Sequence, residues 1–96
     1  MEQIDELDSK LFDMWHQGSH ETKADSIIEH FTKHKNEVGA KNIAQYIRKA
    51  EAFKQNLRGA KSFRVNGATE GVTRYVKNGK YIDLAPDKTI ISFGKR

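Results

Sequence analysis

The sequence predicts an α+β fold, with N-terminal helices packed on one face of a C-terminal antiparallel sheet of about four strands. Three observations predict it. Apolar residues recur at helical spacing up to Leu57 and at two-residue spacing after Gly59. The second half is punctuated by Asn66-Gly67, Asn78-Gly79 and Pro86-Asp87-Lys88, the turn chemistry of a meander. A chain of 96 residues has room for one core, which helices and strands must share.

The first helix is expected over about residues 2–16, where Ile4, Leu7, Leu11 and Met14 or Trp15 form an apolar stripe among acids. Residues 17–25, with Gly18, Ser19 and Thr22 and no periodic apolar residue, read as a loop or linker. A boundary there divides an acidic helix and linker, residues 1–24, from a basic domain over residues 25–96. The stripe's expected partner is the basic domain, with a flexible leader as the alternative. The second helix takes Asp25 or Ser26 as N-cap, buries Ile27, Ile28, Phe31 and Val38, and stops at Gly39, which suits the left-handed C′ position. His34 falls at the edge of its buried stripe, with His30 one turn earlier on the same side. The third helix opens on Asn42 and Gln45, spaced as a capping box, and runs through Ile43, Tyr46, Ile47, Ala50, Phe53 and Leu57 to Gly59. Strands are expected over residues 62–66, 72–77, 81–84 and 89–93. With the helices on one sheet face, the other is left polar, concave and available for function.

Charge is divided unevenly. Residues 1–25 hold seven acids against two lysines, and residues 26–96 hold fifteen basic residues against six acids, balances of −5 and +9. A basic body suits a polyanion, RNA or DNA first and an acidic protein second, with solubility as the bland alternative. The absence of cysteine excludes disulfides and thiolate zinc sites and suits a reducing compartment. No apolar run has transmembrane length, and the acidic start lacks the features of a signal peptide.

His30-Phe31-x-Lys33-His34-x-x-Glu37-x-Gly39, Tyr46-Ile47-x-x-Ala50-x-x-Phe53, Arg64-x-Asn66-Gly67, Thr73-Arg74-Tyr75 and Ile90-Ile91-Ser92-Phe93 follow one another in that order. This series resembles the C-terminal toxin domains of bacterial polymorphic toxins. These are similar to the colicin D-like tRNA nucleases, in the superfamily that groups barnase, EndoU, colicin D and RelE. The likeness covers about residues 27–96 and departs from the family pattern at Lys35, Val38, Val76-Lys77 and Gly94-Lys95-Arg96. It implies an endoribonuclease that cleaves tRNA by metal-independent 2′-OH attack to leave a 2′,3′-cyclic phosphate, with no cofactor. It also implies delivery within a larger bacterial toxin, as in contact-dependent growth inhibition, and action in the target-cell cytoplasm. The expected partners are tRNA and a cognate immunity protein of acidic character, with no membrane insertion by this domain.

Such cleavage needs a base for the 2′-OH proton, an acid for the leaving 5′ oxygen, and donors for the charge growing on phosphorus. His34 is the first candidate for proton transfer because imidazole titrates near neutrality; a core-rim histidine is the alternative. Lys33 projects roughly 100° further round the helix, within reach of the same phosphate, or is merely solvated. Arg74, alternating with Val72 and Val76, demands an anion: a phosphate, or an ion pair with Glu37 or Asp83. Ser92 offers a hydroxyl to the phosphate, as the family's threonine does there, or sits on a wet face. The resemblance nominates His30, Arg64, Tyr75 and Lys95 as substrate contacts. His30 and His34 at i, i+4 also have the spacing of a two-histidine metal pair, but no third ligand is signalled and no metal is assigned. Tyr46, Tyr75 and Tyr81 could stack bases or serve the core. The competing function is a non-catalytic basic module that binds RNA or protein.

Overall fold

The computed structural model describes residues 9–67 and 69–96. Ile4 and Leu7, the start of the expected first helix, lie outside the described residues. The elements are α1 (Ser9–Asp13), α2 (Lys23–Val38), α3 (Ile43–Gln55), β1 (Lys61–Val65), β2 (Val72–Lys77), β3 (Lys80–Leu84) and β4 (Ile90–Lys95). The four strands form one antiparallel sheet in the order β1-β2-β3-β4, so helices precede a meander as the change of period predicts.

Helix α1 stops at Asp13, short of the expected residue 16, because the next residues have better partners. The backbone of residues 14–16 pairs with the outer edge of β4: Ile90 N–H donates to Met14 O at 2.7 Å and His16 N–H to Ile90 O at 2.8 Å. This leaves Trp15 fully buried, its indole N–H donating to Ser26 Oγ at 3.0 Å. Leu11 and Trp15 join the cluster formed by Ile27, Tyr46, Ile47, Ile82, Ile90 and Phe93. Residues 11–15 thus pack on the core of the basic body.

Helix α2 begins before Asp25, because Thr22 takes the N-cap and accepts the Asp25 N–H at 3.0 Å. Asp25 then lies in the first turn, where its charge favours the positive end of the helix dipole. Gly39 closes α2 at φ 70°, the left-handed stop expected of it. Asn42 caps α3 by accepting the Gln45 N–H at 2.8 Å, while Gln45 reaches back to the N–H of Lys41, one residue before the cap. Helix α3 ends at Gln55, capped by Asn56, and Leu57 packs on the core from the following turn.

Asn78 and Gly79 both have positive φ, 53° and 77°, which the tight β2–β3 hairpin requires. Asn66-Gly67 instead opens a longer connection to β2. Strand register sets the two faces of the sheet, with one shift between β3 and β4 at Asp83/Leu84. Tyr75, Ile82 and Phe93 are paired across one face, where Phe93 meets Tyr46 and Phe53 of α3. The other face carries the row Phe63, Arg74, Asp83 and Ser92, with Tyr81 and Gly94 beside it. Helix α2 lies along β4, the edge from which its side chains can reach that second face. No helix among the described residues is long and apolar enough to cross a membrane.

Candidate functional site

Residues three and four apart share one side of a helix, and His30, Lys33, His34 and Glu37 follow that spacing on α2. Of these His34 reaches deepest, at 6 % exposed. Its ring rests on the backbone of Gly94: a Cβ added there would fall 2.6 Å from Nδ1 and 2.9 Å from Glu37 Oε1. The strand admits the imidazole because residue 94 has no side chain.

Nδ1 of His34 lies 2.8 Å from Glu37 Oε1, and the same oxygen accepts the Lys95 backbone N–H at 3.0 Å. The His34 bond first, and the Lys95 N–H second, hold the Glu37 carboxyl below the usual carboxylate range. An ionised carboxylate only accepts, so Nδ1 carries hydrogen, and the tautomer this selects for an uncharged imidazole has its lone pair on Nε2. Nε2 is 3.3 Å from Tyr81 Oη, which bonds Ser92 Oγ at 2.7 Å. Burial raises the Tyr81 phenol above its ordinary pKa, against the opposing pull of the Ser92 bond, so it stays protonated. A carboxylate, an imidazole and two hydroxyls thus form one chain across α2, β3 and β4.

The imidazole lines a cleft of about 380 Å³ with Lys33, Arg74, Tyr81, Asp83 and Ser92, on the sheet face turned away from α3. Lys33 is exposed. Arg74 grips Asp83 with two hydrogen bonds, Nε to Oδ1 at 2.7 Å and Nη2 to Oδ2 at 2.9 Å, so of its two expected carboxylate partners Asp83 is the one used. That hydrogen bonding raises the guanidinium pKa further. Its Cζ sits 4.5 Å above the Tyr81 ring, and Nη1 takes no part in the pair. The guanidinium therefore retains a donor for a second anion.

His30 stacks against His34 with ring centroids 6.0 Å apart and planes 11° from parallel. Burial first, then the neighbouring His34 and His20, push its pKa down to about 4, so it lines the cleft as a neutral ring. His20, which sequence spacing did not single out, pairs through Nε2 with Glu29 Oε2 at 2.8 Å on the same cleft wall. Among the described residues no three His, Asp or Glu side chains are grouped to hold a metal.

The structure does not bring all the expected contacts together. Arg64 follows Phe63 in β1 and so projects from the opposite face to Arg74, lining a separate depression with Asn66, Glu70 and Pro86. Tyr75 follows Arg74 and packs partly buried on the core for the same reason, the two-residue period of a strand. Lys95 meets the site through its backbone N–H, and its side chain is not among the cleft's lining. Tyr46 is fully buried, its hydroxyl spent on the Phe93 carbonyl, and is no platform for a base. In sequence, Glu37 and Asp83 are expected only as alternative ion partners of Arg74, and Tyr81 only as a base platform or core residue; Gly94 is given no place in the site. The i+3 separation of Glu37 from His34 is the signal that could have paired those two. No family model, curated protein or solved structure gives a significant match to this chain.

Proposed function

We propose that this chain is an endoribonuclease of the colicin D-like toxin type, cleaving tRNA by 2′-OH attack. The observation that carries the reading is the Glu37–His34 pair, which leaves imidazole Nε2 beside a cleft furnished with Lys33, Arg74 and Ser92. In this scheme the neutral Nε2 takes the 2′-OH proton and O2′ attacks phosphorus. The P–O5′ bond breaks, the proton returns from the imidazolium to O5′, and the products are a 2′,3′-cyclic phosphate and a 5′-hydroxyl. Glu37 orients the ring and balances the imidazolium. Lys33 and the unspent edge of Arg74 neutralise the charge on the phosphorane, and the Tyr81 and Ser92 hydroxyls donate to it. His30, neutral, contacts the substrate.

The resemblance to polymorphic toxins extends the proposal to delivery within a larger bacterial protein, growth inhibition of the target cell, and neutralisation by an acidic immunity protein seated on the basic cleft. The test is incubation of the purified chain with tRNA in EDTA over about pH 5–8, the range of imidazole titration, together with the His34→Ala variant. Cyclic-phosphate termini that disappear in the variant support the reading. Intact tRNA and harmless expression sink it in favour of a non-catalytic RNA-binding or protein-binding module.

A further inference from the structure

Phe63 stands apart from the rest of the apolar side chains. It is 43 % exposed, the one large hydrophobic residue in the open among the described residues, and it sits mid-strand in β1 with no strand on its outer side. Register puts it directly opposite Arg74, so it begins the row that continues through Asp83 to Ser92 on the cleft's own face. At a strand spacing of about 4.8 Å, three steps place it ~14 Å from Ser92. Arg96 lays its guanidinium over the ring, Cζ 5.4 Å from the centroid, and Lys61 lies two residues before it on the same face. An aromatic ring held in water among cations on the cleft side of the sheet has a chemical complement: a flat, apolar-faced group joined to phosphates.

We propose that Phe63, with Arg96, is a stacking platform for a nucleobase of single-stranded RNA flanking the phosphate held in the His34 cleft. The assignment rests on the ribonuclease reading of that cleft. Bases in a single strand offer a π face regardless of identity, and aromatic rings on open sheet faces take them without sequence preference. Arg96 supplies a cation for the adjoining phosphate, and the edge position of β1 gives the strand an open exit from the cleft. A base paired within a duplex is already stacked and gains nothing at Phe63, so the platform selects unpaired stretches such as loops.

The test uses the full chain and a 2′-O-methyl single-stranded oligonucleotide, which lacks the attacking hydroxyl and can be bound but not cut. Phe63→Ala is expected to weaken binding roughly 5- to 100-fold, the range seen on removing one stacking ring, while Phe63→Trp restores it and a duplex of the same sequence binds both alike. Phe63→Ala binding the single strand as tightly as the unaltered chain overturns the platform and leaves the exposed ring to a protein partner. Absence of any oligonucleotide binding by the unaltered chain overturns it equally. If the oligonucleotide binds through Phe63 but tRNA stays whole, the platform stands and the nuclease reading fails. If tRNA is cut and Phe63→Ala changes neither binding nor KM, the reverse holds.

Discussion

Nδ1 of His34 and Oε1 of Glu37 lie 2.8 Å apart across one turn of α2, and the same oxygen is held by the Lys95 N–H of β4. The helix supplies both members of the pair and the sheet fixes their orientation. A histidine restrained at one nitrogen by a carboxylate and turned by the other toward hydroxyls and cations is arranged for proton transfer next to an anion.

On the proposed ribonuclease reading, His34→Ala is expected to lower tRNA cleavage on the order of 10²- to 10⁴-fold, the usual contribution of a positioned acid or base. Glu37→Gln keeps the shape of the side chain and loses its charge, and should cost roughly 10- to 10²-fold through misorientation of the ring. Single-turnover rates measure both. A Glu37→Gln variant that cleaves at full speed would show that the carboxylate only packs.

Gly94→Ala puts a methyl 2.6 Å from the His34 ring and should displace it. Overpacking of this kind costs about 1–3 kcal/mol of stability, whereas the displacement should cost cleavage on the order of 10²-fold. Circular dichroism and rate measurements on the same preparation separate the two effects. Wild-type cleavage by a folded Gly94→Ala protein would show that the His34 ring does not depend on the bare backbone of β4.

His30 makes stability depend on acidity. Its pKa falls from 6.5 to about 4 on folding, so the unfolded chain binds its proton first. The contribution is complete above the unfolded value and is lost as pH drops through that window. At 1.36 kcal/mol per unit the ceiling is about 3 kcal/mol, and solvent screening of the half-buried ring reduces it to about 1–2 kcal/mol. His34, His20 and Lys33 oppose its protonation and Glu29 favours it. Urea denaturation across the window should show stability falling toward acid, with a shallower fall in His30→Phe. Equal slopes in the two proteins remove His30 as the cause.

Trp15→Ala should destabilise the protein by about 3–5 kcal/mol, as expected for emptying a fully buried aromatic site. Chemical denaturation gives the value. A loss within about 0.5 kcal/mol, the range of exposed substitutions, would mean that the segment before α2 merely rests on the core.

Removing Arg74 strands the Asp83 carboxylate, which is 5 % exposed. Arg74→Gln should therefore lose about 1–3 kcal/mol of stability, and adding Asp83→Asn should recover part of it by discharging the buried partner. If the proposed ribonuclease reading holds, cleavage should stay low in both, because each lacks the cation proposed for the phosphate. Restored cleavage in the double variant would reduce Arg74 to a structural partner of Asp83.

Periodicity and turn chemistry determined the fold class, because the change from a 3.6- to a 2-residue period and the Asn78-Gly79 hairpin are local properties that tertiary packing only had to accept. The same local rules identified Gly39, Asn42 and the residues of β2. They misplaced the end of α1, since residues 14–16 are drawn out of helix by a strand edge more than seventy residues away, at Ile90. The site divides in the same way. His34 and Lys33 stood out by residue type and spacing on one helix. Whether Arg74 faced them depended on strand register, which returned Arg74 to Asp83, Tyr81 and Ser92 on one face and sent Arg64 and Tyr75 to the other. Gly94 is the sharpest instance. In sequence it lies just past the expected last strand, as one departure from the family pattern, and only the extension of β4 through Lys95 and the passage of α2 over it turn its missing side chain into the space that His34 occupies.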